Sequence, residues 1–272
     1  MKYKLLASDL DGTLLNDKSE ITERTKTAIL KAIQAGVLFI TATGRAMSGV
    51  EHINALFDRD LPFITLNGAI VCMGKSRKVL VNKYLGNALA KEVFDLGASL
   101  GIPVVVWAGK KLCVSRECEE TRFYRDIAKT ETRIIKEIDE LKDEGGVSKV
   151  LWIDSPGNIS RYHRELGARY SGRLNCYPSR PIFLEFFSTE ADKGIALAEI
   201  GKIYNIDRSE MIAVGDNFND VSMLEYAGLG VAMENSESEI KAVCRHVTLS
   251  NNEDGVAAVI EKFILEPDDS CN

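Results

Sequence analysis

The chain has 272 residues, 45% of them hydrophobic and 27% charged, with only six prolines; it can bury a substantial core in one large domain or two smaller ones, which excludes a disordered or fibrous protein. No apolar run approaches the length that spans a bilayer, so a membrane protein is excluded. A net charge of −6 without a basic stripe excludes a nucleic-acid footprint and leaves small molecules as the expected partners.

Cys72, Cys113, Cys118, Cys176, Cys244 and Cys271 contain no C-x-x-C pair, which speaks against zinc and for small buried hydrophobes in a reducing compartment. The start, Met1-Lys2-Tyr3-Lys4, shows no signal-peptide core, so the expected location is cytoplasmic. The expected state is a monomer or weak homodimer.

Leu5-Leu6-Ala7 predicts a buried strand, followed directly by Ser8-Asp9-Leu10-Asp11-Gly12-Thr13. Side chains two apart in an extended segment point the same way, roughly 6–7 Å apart, so Asp9 and Asp11 are expected to face one site. Such a pair is favourable if a cation lies between the carboxylates, if one holds a proton, or if the N–H groups of a following turn receive them. Gly12 permits that turn and Thr13 adds a hydroxyl. Each option suggests chemistry at phosphate.

Thr22 can cap a helix running to Gln34, with Ala28, Ile29, Ala32 and Ile33 as its apolar stripe and Gly36 just past its end. Val37 to Ala42 predicts a strand that stops at Thr43-Gly44-Arg45, Met47 to Phe57 a helix, and Pro62 to Leu66 a strand ending at Asn67-Gly68. That rhythm implies right-handed crossovers and a doubly wound parallel sheet, an α/β fold that binds ligands at the carboxyl ends of its strands.

The pattern breaks near Tyr84. Helix-like Ala88 to Leu100 precedes a hairpin, Pro103 to Trp107 and Leu112 to Ser115 around Gly109-Lys110; Ser148 to Ile153, helix-like Ile159 to Tyr170, and strands Leu174 to Tyr177 and Ile182 to Phe187 around Pro178 and Pro181 follow. Residues 84–187 thus predict an inserted α+β domain, and residues 1–83 with 188–272 the surrounding core. The parallel rhythm resumes with a helix Ile195 to Tyr204 after Lys193, a strand Met211 to Val214, the acid- and amide-rich turn Gly215 to Asp220, and a helix Val221 to Tyr226. Leu229 to Met233, Glu237 to Val243, Val247 to Leu249 and Gly255 to Ile264 complete it, and Glu266 to Asn272 reads as a solvated tail.

Four chemical positions therefore fall at strand ends: Asp9/Asp11, Thr43, the Lys193 segment, and Asp216 with Asn219 and Asp220. In order and spacing they resemble the haloacid dehalogenase superfamily, whose motifs are D-x-D-G-T, a Thr or Ser after the second strand, a Lys opening a later helix, and G-D-x-x-N-D. The insertion between the second and third motifs is similar to the large cap of the Cof-type branch, as are Thr43-Gly44-Arg45, Asn67-Gly68-Ala69 and Val231-Ala232-Met233-Glu234-Asn235.

The resemblance implies a Mg²⁺-dependent phosphatase of small phosphorylated metabolites, sugar phosphates first among them, with a cap that selects substrate. Asp9 would be the nucleophile, forming an aspartyl-phosphate, and Asp11 the acid and base. The all-oxygen site suits Mg²⁺, held by Asp9, Asp216 and, by resemblance, the backbone carbonyl of Asp11, with Asp220 on a bound water or orienting Lys193. Lys193, Thr43 and Asn219 would bind phosphoryl oxygens. Gly44 and Asn67 join them in the expected phosphate loops, and Arg45 and the insertion's Arg180 are candidates to touch substrate. His52, His163 and His246 lack spacing partners and read as structural or solvated, and Trp107 and Trp152 as core of the insertion. A phosphomutase or phosphotransferase shares this architecture and differs only in the acceptor; a non-catalytic phosphometabolite sensor is a third reading, against which every motif is intact.

Overall fold

The computed structural model of the chain describes residues 2–45, 50, 53, 56–57, 59–109 and 111–266. The helix expected over Met47–Phe57 falls largely outside these residues, as do His52, Lys110 of the hairpin turn, and Cys271 with the tail beyond Glu266. The chain forms two compact units, one of Met1–Thr43, Glu51–Val81 and Asp192–Asn272, the other of Gly44–Val50 and Asn82–Ala191.

In the first unit, strand β1 (Leu5–Ser8) is buried at every position, as its unbroken apolar run requires in a sheet covered on both faces. Helix α1 (Glu23–Gln34) starts where the Thr22 hydroxyl accepts the Thr25 N–H at 3.1 Å, and Gly36 follows it at φ +94°. Strands β2 (Leu38–Ala42) and β3 (Pro62–Thr65) extend the sheet in parallel. Asn67-Gly68 then turns the chain back, so that β4 (Ile70–Met73) pairs antiparallel with β3 and β5 (Val79–Asn82) forms the edge. This edge adds an antiparallel strand to the parallel sheet, and Gly68 at φ +96° permits the tight reversal.

The second unit is a six-stranded sheet. Helix α2 (Asn87–Ser99) leads into the hairpin β6 (Val104–Ala108) and β7 (Lys111–Val114), then helix α3 (Glu119–Ala128) and β8 (Thr132–Ile134). Strand β9 (Val147–Ile153), helix α4 (Pro156–Arg169), β10 (Asn175–Arg180) and β11 (Phe183–Phe187) complete the order β10-β11-β9-β6-β7-β8. Helix α3 and β8 went unread because α3 buries only Thr121, Tyr124 and Ala128, too thin a stripe to carry a period. Pro178 lies inside β10, an edge strand whose register shifts between Pro178 and Arg180, the kind of position where a sheet accepts proline. Trp152 is wholly buried against Tyr162 and Phe186 in this unit's core.

The chain re-enters the first unit with α5 (Lys193–Tyr204), β12 (Met211–Gly215), α6 (Val221–Tyr226), β13 (Leu229–Ala232), α7 (Ser238–Val243), β14 (His246–Val247) and α8 (Gly255–Ile260), the last continuing into a wider turn over Glu261–Leu265. The eight strands run β14-β13-β12-β1-β2-β3-β4-β5, which sets β1 and β12 side by side at the centre. Among the described residues no helix is long and apolar enough to cross a membrane, and Cys72, Cys113, Cys118, Cys176 and Cys244 are free thiols.

The Thr22 hydroxyl also donates to Asp254, which accepts from Thr25 at 2.9 Å, so one cap ties α1 to the C-terminal segment. Thr22→Ala is expected to lower unfolding free energy by about 1–2 kcal/mol with unchanged far-UV dichroism, read by urea titration.

Candidate active site

The site forms where β1, β2, β3 and β12 end. The register Ser8↔Val214 places Asp9 one residue beyond β1 level with Gly215, and the Asp9 N–H donates to the Val214 carbonyl at 2.9 Å. Asp9 is buried at 6% exposure, whereas Asp11, past the start of the turn, is exposed. Lys193 opens α5, whose Asp192 cap accepts the Ile195 N–H at 2.9 Å, and its side chain is completely enclosed. Its ammonium donates to Asp9 Oδ1 and to Asp220 Oδ1, each at 2.6 Å.

Asp220 is fixed from the other side as well. Its Oδ2 accepts the backbone N–H groups of Asp216 and Asn217, both at 3.0 Å, so the G-D-x-x-N-D turn is wrapped around its own last carboxylate. Gly215 permits that approach, since a Cβ there would lie 2.6 Å from the Asp220 Cβ. Asp216 accepts the Thr13 hydroxyl at 2.6 Å. Gly12 is required twice over: its φ is +81°, and a Cβ would meet Asp216 Oδ2 at 2.5 Å.

Thr43 and Asn67 occupy neighbouring strand ends. The buried Thr43 donates its N–H to Ile64 and accepts the Asn67 N–H at 3.0 Å, and Asn67, at φ +55°, accepts the Asn219 side-chain N–H at 3.1 Å. Asn67 and Asn219 thereby link the loops after β3 and β12. A Cβ on Gly68 would lie 2.3 Å from the Asp192 carbonyl, so this loop rests on the start of the Lys193 helix. Gly44 and Arg45 follow Thr43, half-buried, in the part of the chain grouped with the second unit. Arg180 lies in that unit, exposed, with its guanidinium 5.9 Å from the Phe183 ring centre. Two partners escaped the sequence reading. Thr13 was seen only as a hydroxyl, not as the group on Asp216, and Asn235 donates to the Gly12 carbonyl at 2.9 Å, a role its place in Val231–Asn235 did not reveal.

Electrostatics follow from this packing. Burial would push the Lys193 ammonium down, but the Asp220 and Asp9 carboxylates against it hold it well above its usual range. Asp9 is raised well above the carboxylate range by burial and by Asp220 and Asp216, in spite of Lys193. Asp216 is pushed up to about 6, by burial first, against the pull of Thr13 and with the push of Asp220. Asp9, Asp216 and Asp220 present carboxylate oxygens all within 4.8 Å of one another. Three carboxylates against one ammonium leave an excess of two negative charges on an all-oxygen donor set, which fits a hard divalent cation such as Mg²⁺. Both Asp220 oxygens already have partners, which leaves Asp9 and Asp216 as the carboxylates that could hold such a cation and Asp220 as the anchor of Lys193.

The family model described as haloacid dehalogenase-like hydrolase matches residues 6–260, nearly the whole chain. The chain belongs to that family. Among its relatives, the Bacillus subtilis protein YxeH, which carries a phosphatase name, is 33% identical over 97% of this chain and 99% of its own length. The 5-amino-6-(5-phospho-D-ribitylamino)uracil phosphatase YwtE of the same organism is 28% identical over 96% of this chain and 98% of its own length. A haloacid dehalogenase-like hydrolase from Bacteroides thetaiotaomicron superposes with a TM-score of 0.83 at 27% identity, covering 96% of this chain and 99% of that structure. The chain is thus an enzyme of the phosphatase kind in this family, with the Rossmann-like core and Cof-type motifs that its sequence resembled.

The raised Asp216 carboxyl binds its proton more tightly in the folded than in the unfolded state, so without divalent cation it removes stability as pH rises through about 6. In EDTA, the melting temperature of the wild type is expected to fall between pH 5 and 7 relative to that of Asp216→Asn, and Mg²⁺ should close the gap. A pH-independent difference between the two proteins would contradict the electrostatic account.

Proposed function

We propose that the hydrolase is a Mg²⁺-dependent phosphatase of small phosphorylated metabolites, with sugar phosphates as the substrate class, acting through an aspartyl-phosphate on Asp9. The observation that carries this reading is the buried Lys193 ammonium clamped between Asp9 and Asp220, with Asp216 alongside. A carboxylate in such a place has no solubility role; oriented by a fixed cation, it is suited to attack phosphorus in line with the leaving oxygen.

Asp9 attacks, and the bond to the leaving oxygen breaks. Asp11, exposed beside the turn and so within reach of substrate and water, donates a proton to that oxygen, then takes one from the water that cleaves the acyl-phosphate. Lys193, Thr43 and Asn219 receive the phosphoryl oxygens as charge builds on them, with Gly44 and Asn67 shaping the adjoining loops. Asp9 and Asp216, with the Asp11 backbone carbonyl, would hold a divalent cation, which would neutralise the charge of the phosphoryl group. Asp220 positions Lys193. The inserted residues 84–187, within the Asn82–Ala191 segment of the second unit, act as the cap that selects the leaving group, with Arg45 and Arg180 as candidate substrate contacts. The relatives' phosphatase names, one of them for a phosphoribityl compound, support a small phosphorylated metabolite.

Purified protein is expected to release phosphate from p-nitrophenyl phosphate with Mg²⁺, to lose that activity in EDTA, and to regain it on readdition of Mg²⁺. Asp9→Asn should reduce turnover roughly 10³-fold or more while keeping the fold. Full activity in EDTA, or an active Asp9→Asn protein, would contradict the proposal.

A further inference from the structure

The turn that carries Asp11 has a permissive joint in it. Gly12 follows Asp11 directly at φ +81°, and a glycine backbone is freer to rotate than any other, so the turn alone fixes Asp11 poorly. Within the turn, the Thr13 and Leu15 N–H groups donate to the Leu10 carbonyl at 3.3 and 2.8 Å, and Asp11 forms a single backbone bridge with Leu15. Further restraint comes from far along the chain. After β13, the Asn235 side-chain N–H donates to the Gly12 carbonyl at 2.9 Å, while its Oδ1 accepts the Asn251 N–H at 3.0 Å. The Asn251 side chain donates to the Leu15 carbonyl at 3.0 Å and to Asp17 Oδ1 at 3.2 Å. Two asparagines, locked to each other, thus grip the residue next to Asp11 and the residue bridged to it. The Met233 N–H, two residues before Asn235, donates to the Gly215 carbonyl at 3.1 Å, so the grip is referred to the strand end that carries Asp216.

Stability is a poor reason for this arrangement. Asn235 is exposed, where water would satisfy the Gly12 carbonyl nearly as well, so the bond contributes little to folding. What water does not supply is direction. In the proposed reaction the leaving oxygen keeps the electron pair of the broken P–O bond and takes the Asp11 proton. In the second step the Asp11 carboxylate takes a proton from the water whose oxygen attacks phosphorus. Both transfers need the carboxyl within hydrogen-bond reach of an oxygen whose place is set by Asp9, and a misplacement of about 1 Å costs on the order of 10²-fold.

We infer that Asn235, held by Asn251, is a positioning residue for Asp11, fixing the proton-carrying carboxyl relative to the nucleophile. This rests on the reading of Asp9 as nucleophile and Asp11 as acid and base. Its signature is a dependence on the leaving group, because a nitrophenolate departs without a proton and a more basic phenolate departs slowly without one.

The test measures kcat/KM at saturating Mg²⁺ for p-nitrophenyl, p-chlorophenyl and p-methoxyphenyl phosphates, which are similar in size and rise in leaving-group basicity. Four proteins are compared: the wild type, Asn235→Ala, Asn235→Asp and Asn252→Ala. Asn235→Asp keeps the oxygen that accepts the Asn251 N–H but loses the donor to Gly12, and it carries the comparison if the alanine protein fails to fold. Asn252→Ala breaks another tie between the same segments, the Asn252–Asp17 pair at 2.9 and 3.1 Å, without touching Gly12 or Leu15, so general loosening would appear in it. The Asn235 variants should lose about threefold or less on the p-nitrophenyl ester and roughly tenfold or more on the p-methoxyphenyl ester, with the p-chlorophenyl ester between them. Asn252→Ala should stay within about threefold of the wild type on all three. An equal loss on the three esters, no loss, or the same leaving-group dependence in Asn252→Ala would overturn the inference while leaving the phosphatase reading intact. A wild type that hydrolyses none of the esters would overturn the phosphatase reading, and this inference with it.

Discussion

Every other feature of the first unit's site depends on one buried cation. An ammonium enclosed as fully as that of Lys193 is tolerable only with charge partners at hydrogen-bond distance, and it has two, Asp9 and Asp220, each at 2.6 Å. Asp9 ends the first strand of the chain, Asp220 closes the turn after β12, and Lys193 begins the first helix after the insertion. The ion triad therefore stitches together segments that the inserted unit separates along the sequence. Removing Lys193 would strand two buried carboxylates, whereas the intact triad together with Asp216 retains the excess negative charge that a divalent cation would balance.

The loops around the triad are held by backbone approach more than by side chains. Gly12 comes within a missing Cβ of Asp216, Gly215 within one of Asp220, and Gly68 within one of the Asp192 carbonyl. Asn235 fixes Gly12 through its carbonyl, and Asn219 fixes Asn67. Groups set in this way lose little freedom when substrate binds, the condition under which oriented charges are most effective in stabilising a transition state.

Much of this was legible in the chain. Asp9, Lys193, Asp216 and Asp220 stood out because charges at the carboxyl ends of apolar strands have no place in a core without chemistry, and the structure brings those four side chains together. The α1 cap and the central strands were legible because Thr22 and the apolar runs obey local rules. Other features depend on tertiary contact and leave no local mark. Thr13 and Asn235 find their partners about two hundred residues away, and the antiparallel β4 edge after Asn67-Gly68 went unread. Lys149 and Glu185 sit in strands read as apolar runs, and their pairing follows only from the strand order β11-β9-β6.

The central claim is that Asp9 carries the phosphoryl group while Asp11 moves the protons. In Asp11→Asn, attack on an ester with a good leaving group remains possible, but no base activates water against the acyl-phosphate, so the covalent intermediate should persist. Rapid quench of Asp11→Asn with p-nitrophenyl phosphate, followed by peptide mass spectrometry, is expected to show a burst of about one nitrophenolate per enzyme and a phosphoryl group on Asp9. No burst and no label on Asp9, or a label on Asp11 in the Asp9→Asn protein, would contradict the account.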